Sequence, residues 1–294
     1  LYKYTQQEFP YEKLKTENAK RNRDEPEYEI LDTGVFDNNQ YFDVQITYAK
    51  QSAQDIFIKI DITNRYSKPA EITVLPTLWF YNRPSSRALK KIPSISYVNQ
   101  NTVKAEHERL GNYYFYFQPA DDCLFTDNKT NNEKLFGEPN EDIFVKDAFN
   151  DAVISKKSVK DLSARKKGTK FSPVYKTKIN GGDTKTIYCR LSAALLEEPF
   201  GNNVKNIFTI RKQEADEFYA AILPKGMSED MARIQRQALA GVLWSKQFYH
   251  FDVERWLSNS DGITPANDGK KKGRNHDWKH LKNQDIICMP DKWE

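Results

Sequence analysis

Two runs of strict alternation constrain this chain more than any other feature. Phe42, Val44, Ile46 and Tyr48 fall on one side of an extended backbone, with Asp43, Gln45 and Thr47 on the other. Ile56, Ile58, Ile60 and Ile62 repeat the pattern against Lys59, Asp61 and Thr63. Successive side chains of a strand point to opposite faces, so each run makes one apolar and one polar face, as a half-buried antiparallel strand requires. A helix would scatter both sets around its circumference.

More strands follow. Glu71 to Phe80 reads as one, with Pro76 marking a bulge or an edge position, because proline cannot donate to a ladder. Asn112 to Gln118, with five consecutive aromatics, and Leu124 to Thr126 continue the series. Val174 to Lys178 and Thr184 to Leu191 flank Asn180-Gly181-Gly182-Asp183, which reads as a hairpin because glycine supplies the positive φ of tight turns. The opening, anchored by Phe9-Pro10-Tyr11, reads as irregular, and the polar stretch from Asp127 to Asn150 as an ordered surface loop. With no βαβ rhythm, the pattern predicts an antiparallel β-sandwich.

The period changes near Gln213. Gln213 to Ile222 reads as a short helix stopped by Pro224 and Gly226. Ser228 is a good N-cap, Glu229 and Asp230 suit the positive end of a helix dipole, and Met231, Ile234, Ala238 and Val242 form one apolar stripe. Ser228 to Lys246 is therefore a predicted helix, followed by a loop from Ser258 to Gly273 and a final segment without clear period. The expected domains are residues 1–211 and 212–294.

Composition excludes several classes. Of 294 residues, 38% are hydrophobic, enough for a core and too many for a disordered chain. The net charge of +4 makes no nucleic-acid footprint, and the run Lys270-Lys271-Lys272 with Arg274 reads as a solvated loop. Cys123, Cys189 and Cys288 are odd in number and far apart, which fits a reducing compartment better than a disulfide framework. No membrane-spanning run is present, so a cytoplasmic location is expected, although Asn128-Lys129-Thr130 matches a glycosylation sequon.

Catalytic motifs are scarce. No phosphate-binding glycine loop or nucleophile elbow is found. His276 and His280, at i and i+4, would share a face only on a helix, and no acidic third ligand accompanies them, so no metal and no cofactor are expected. Glycoside cleavage needs two carboxylates, and Asp32, Asp43, Asp147, Asp277, Asp291 and Glu294 all lie near aromatics. Arg274, Asp277 and Trp278, with Asp291, Lys292 and Trp293, combine indoles with charged groups, as sugar recognition uses. An interdomain segment with Trp278 and Trp293 buried is the alternative.

Longer motifs carry a resemblance. Pro26-Glu27-Tyr28-Glu29, Leu31 to Phe36, Asn128 to Asn131, Leu135-Phe136-Gly137, Val145 to Phe149 and Glu214 to Tyr219 contribute to it. Gln235 to Gly241, continuing through Leu243 to Gln247, is the most specific; Arg274-Asn275, Asp277-Trp278 and Met289 to Glu294 complete it. These segments are similar to glycoside hydrolase family 63, which includes processing α-glucosidases and mannosylglycerate hydrolases. The resemblance implies a β-sandwich joined by linker helices to an (α/α)6 barrel, and inverting hydrolysis of α-linked sugars. In that family the catalytic carboxylates follow the segment that ends here at Glu294, so no catalytic residue is carried over. Arg274, Asp277, Trp278, Asp291, Lys292 and Trp293 are the expected substrate-side residues. The expected partners are a carbohydrate substrate and the rest of the chain's own barrel, with neither nucleic acid nor membrane.

Overall fold

The computed structural model describes residues 1–80, 91–201, 204–258, 272–273 and 276–288. The chain divides into two compact units, residues 1–81 with 91–207 and residues 82–90 with 208–294.

In chain order, the first unit contains β1 (Tyr2–Thr5), α1 (Tyr11–Asn18), β2 (Tyr41–Ser52), β3 (Asp55–Asn64), β4 (Ala70–Val74) and β5 (Leu78–Trp79). Then come β6 (Ser94–Asn99), β7 (Thr102–His107), β8 (Gly111–Phe117), β9 (Asp122–Thr126), α2 (Asn132–Phe136), α3 (Ala148–Ile154) and α4 (Val159–Ala164). β10 (Lys167–Gly168), β11 (Lys170–Ile179) and β12 (Thr184–Ser192) close it. The polar opening is thus more regular than its sequence suggests, because β1 pairs with β2 from Tyr2 opposite Val44 to Thr5 opposite Tyr41. The stretch read as a surface loop likewise holds α2 and the start of α3.

Eight antiparallel strands form one sheet in the order β1-β2-β3-β12-β8-β7-β6-β10. In the smaller sheet β11 pairs with β4 and β5 along one stretch of register and with β9 from Lys170 to Val174. The gap between β4 and β5 contains Pro76, whose carbonyl accepts from Ser172 Oγ at 3.1 Å, so the proline interrupts a strand as its missing donor requires.

The sheets pack face to face into a mainly β sandwich. Phe42, Ile60, Ile62, Ile95, Phe115, Phe117 and Ile187 of the larger sheet meet Phe125, Phe171, Tyr175 and Ile179 of the smaller. The alternation at 42–48 and 56–62 sends its apolar set inward, with Val44, Ile46 and Ile58 partly buried at the margin and Tyr48 exposed. Phe171 lies at the centre, fully buried, with its ring 4.7 Å from Phe125 and 5.4 Å from Phe117.

The predicted hairpin at 174–191 is not one. β11 and β12 lie in different sheets, so residues 180–183 form an arch between layers. Asn64 holds the arch. Fully buried, it donates through Nδ2 to the carbonyls of Ile179 (2.9 Å) and Lys68 (2.8 Å), and its Oδ1 accepts from Gln6 Nε2 (2.7 Å) and the Tyr66 amide (3.0 Å). The Gly182 amide donates to the Asn64 carbonyl at 2.9 Å. Gly181 is required for close approach: a Cβ there would overlap the Ser67 carbonyl in the neighbouring crossover.

A second apolar cluster lies outside the smaller sheet, where α3 and α4 place Phe149, Ala152 and Leu162 on Leu124 and Val174. On the outer face of the larger sheet, Arg190 grips Asp55 with two hydrogen bonds (2.8 and 2.5 Å) and lies 4.3 Å from the Phe57 ring. Its remaining nitrogen donates to the Pro199 carbonyl at 2.8 Å, which fixes the segment leaving β12.

Helix α5 runs Val204–Ile222, starting well before the expected Gln213, with Val204 and Ile207 buried. The second unit also contains α6 (Glu229–Trp244), β13 (Lys246–Asp252), α7 (Val253–Leu257) and β14 (Lys282–Cys288). α6 begins as predicted: Ser228 Oγ accepts from the Met231 amide at 3.3 Å. The helix ends at Trp244, and β13 pairs in full with β14 as a two-stranded antiparallel sheet, with α7 between them in the chain, which the sequence did not announce.

Candidate functional site

Of the six residues expected on the substrate side, Asp277 and Trp278 lie among the described residues; Arg274, Asp291, Lys292 and Trp293 lie outside them. Residues 276–280 form turns rather than a helix, so His276 and His280 do not share a helical face. The turn instead places His276 Nε2 3.1 Å from Asp277 Oδ1 and stacks the Trp278 indole on His280 with centroids 5.7 Å apart. Trp278 is 53% exposed among the described residues.

Backbone bonds fix this turn. The Leu281 amide donates to the Trp278 carbonyl at 2.9 Å, and the Val253 amide donates to the Leu281 carbonyl at 3.1 Å, joining the start of α7 to the start of β14. Between them opens a cleft of about 550 Å³ lined by Glu254, Leu257, Ser258, His276, Asp277 and Lys279. Glu254 is the carboxylate that sequence reasoning missed, although it stands between Phe251 and Trp256. It pairs with Lys282 at 3.1 Å, and that contact raises the lysine's pKa. Glu254, Asp277, His276 and Lys279 thus border a cleft with two carboxylates, an imidazole and an ammonium, a set able to exchange hydrogen bonds with hydroxyls, and the exposed Trp278 lies between Asp277 and Lys279 in the chain.

The other candidate carboxylates have structural occupations. Asp32 accepts from the Glu29 amide at 2.8 Å in a capping box. At Asp43 burial pushes the pKa up, but hydrogen bonds from Arg65 (2.6 Å) and Lys3 (3.1 Å) outweigh it and hold the carboxyl below its usual range. Asp147 accepts from Asn131 Nδ2. Asp291 and Glu294 lie outside the described residues.

The cysteines do not offer a nucleophile in the sandwich. Burial pushes the Cys189 thiol up to about 12, and it raises Cys123 too, whose sulfur lies 3.8 Å from the Tyr97 hydroxyl. The sequon side chain of Asn128 donates to the Phe80 carbonyl at 2.9 Å.

A further concavity belongs to the first unit. A groove of about 610 Å³ runs over the outer face of the smaller sheet, beside α3 and the start of α4. Val153, Val159 and Ile72 give it an apolar lining above the buried Leu124, Val174 and Ala152, and Lys156, Lys176 and Lys178 stand on its rim with Glu71 and Asp122.

Comparison with known proteins adds a relative. The chain aligns over its entire length, 30% identical across 344 residues, with "Uncharacterized protein YMR196W" of Saccharomyces cerevisiae. It spans 31% of that protein's length. Among solved structures, "Putative kojibiose phosphorylase from human microbiome" aligns with 74% of this chain and 24% of its own, at 7% identity and a TM-score of 0.24. No protein-family model matches the chain. No helix among the described residues is long and apolar enough to cross a membrane.

Proposed function

We propose that this chain is part of an inverting glycoside hydrolase that acts on α-linked glucosides or related glycans, with its general acid and base carried beyond residue 294. The observation that carries the reading is an open cleft bordered by Glu254, His276 and Asp277, with the exposed Trp278 next in the chain after Asp277. The sequence motifs shared with family 63 support the same assignment. On this reading residues 276–280 meet the sugar, and Arg274, Asp291, Lys292 and Trp293 act with them on the substrate side. The sandwich then braces an (α/α)6 barrel.

Two assays test it. The 294 residues alone should show no turnover of α-glucosides above buffer, and robust hydrolysis would place a catalytic pair within them. In the longer enzyme, Trp278→Ala should lower kcat/KM about tenfold, the loss of one stacking contact of about 1.4 kcal/mol. A second reading, a non-catalytic carbohydrate-binding or structural β-sandwich module, rests on the self-contained core of the sandwich. A longer polypeptide that binds glycans without hydrolysing them would favour it.

A further inference from the structure

The groove on the outer face of the smaller sheet plays no part in the proposed function, yet it has the build of a ligand site. Its volume of about 610 Å³ suits a small organic molecule, and its accessible apolar lining is Val153, Val159 and Ile72, above the buried Leu124, Val174 and Ala152. The rim carries three lysines. Lys176 is engaged by Asp122 at 3.2 Å, whereas Lys156 and Lys178 make no ion pair among the described residues. Glu71, directly opposite Lys178 in the ladder, forms none with it.

Lys156 sits there at a conformational cost. It follows the end of α3 with φ at 53°, the left-handed position that closes a helix, where the Lys157 amide turns back to the Asp151 carbonyl at 3.2 Å. Glycine fits that position without strain, and any Cβ is disfavoured. Ser158, two residues on, is also left-handed at φ 55° and leaves its side chain out of the cap of α4. A residue kept in a disfavoured conformation beside a cavity points to a use for its side chain. Here that side chain is an ammonium on the rim of an apolar groove.

We infer that this groove binds an amphipathic organic anion, with its hydrocarbon body on the floor and its carboxylate or phosphate between Lys156 and Lys178. Charge complementarity sets the orientation: the apolar part lies along Val153, Val159 and Ile72, and the acidic end stays at the rim.

Decanoate and decyl phosphate, with decyl glucoside as the uncharged control of equal chain length, are suitable probes for NMR titration of the 294-residue protein. The two anions should give saturable shifts at residues 72–73, 124, 152–159 and 174–178, while decyl glucoside binds at least tenfold more weakly. Preference for one anion would identify the headgroup as carboxylate or phosphate. Lys156→Gly is the sharper test, because it should raise Tm by relieving the left-handed strain and weaken anion binding at least fivefold. Thr73→Trp, which fills the groove from β4, should abolish binding with the fold intact. Equal affinity for the neutral control, unchanged affinity in Lys156→Gly, or shifts confined to other surfaces would each overturn the assignment.

Discussion

The two units of this chain solve burial differently. The sandwich encloses a contiguous core in which Phe42, Phe117, Phe125, Phe171 and Ile62 are essentially solvent-free. In the second unit, Val253 and Leu257 are the apolar residues buried among those described. The 16 residues of α6 include none that is buried. Meanwhile Trp244 is 77% exposed, and Phe248 lies opposite Ile286 in the two-stranded sheet with both exposed. An isolated pair of strands is marginal in water. Sequence alone does not reveal this contrast, because both units are rich in aromatics; the difference lies in whether a second layer covers them.

The largest effect should come from removing that second layer in the sandwich. Phe171→Ala deletes a ring in contact with Phe115, Phe117 and Phe125 and should cost about 3–5 kcal/mol, read by urea or guanidinium unfolding. A loss below 1 kcal/mol would mean that the two sheets are not one cooperative core.

Next is the arch. Asn64→Ala would strip partners from the carbonyls of Ile179 and Lys68, from the Tyr66 amide and from Gln6, and should cost about 2–3 kcal/mol by the same measurement. Asn64→Asp would aim a carboxylate oxygen at the carbonyls of Ile179 and Lys68 in a fully buried site, so it should cost at least as much as Ala.

A smaller, pH-dependent effect belongs to Asp142. Hydrogen bonds from Arg165 at 2.7 and 2.8 Å are the main cause holding its pKa down at about 2, against 3.8 for the free side chain; burial opposes them. A depressed carboxyl stabilises the fold fully above its unfolded pKa, and that contribution is lost as pH falls. Stability should therefore drop between about pH 4 and 2, and Asp142→Asn should flatten part of the slope. An unchanged slope in the variant would show that other carboxylates carry the acid transition.

The strands were legible because alternation is a local signal, recorded in every second residue. The arch was not, because Asn180-Gly181-Gly182-Asp183 suits either a hairpin or a crossover. What decides between them is Asn64, 115 residues from the Ile179 carbonyl it holds. β13 escaped notice because both faces are mixed: Lys246, Phe248, His250 and Asp252 share one, and Gln247, Tyr249 and Phe251 the other, so neither is uniformly apolar. At the cleft, Asp277 and Trp278 could be read from their motif, but Glu254 comes from α7, and only the fold brings it to the cleft with Asp277. The start of α5 was missed because Val204 and Ile207 are buried as part of the first unit's material, before the helical period becomes plain.

The smallest expected effect tests the second unit most directly. Met231, Ile234 and Val242 form the apolar stripe of α6, yet they are 53%, 53% and 49% exposed. The face opposite the stripe makes the observed contacts. Arg236 donates to Asp216 at 2.7 Å and lies over the Tyr219 ring at 4.7 Å. An amphipathic helix with its apolar side in solvent gains nothing from that side, so Ile234→Ser should change the stability of the 294 residues by less than about 0.5 kcal/mol. Under the proposed reading, further polypeptide covers the stripe. The same substitution in a longer protein, continuing past Glu294, should then cost about 2–4 kcal/mol, and amides of α6 and β13 should exchange far more slowly than in the shorter chain. Equal costs and equal exchange in the two proteins would show that the stripe stays in water. The reading of α6 as a linker helix packed on a barrel would then be wrong, whatever Trp278 binds.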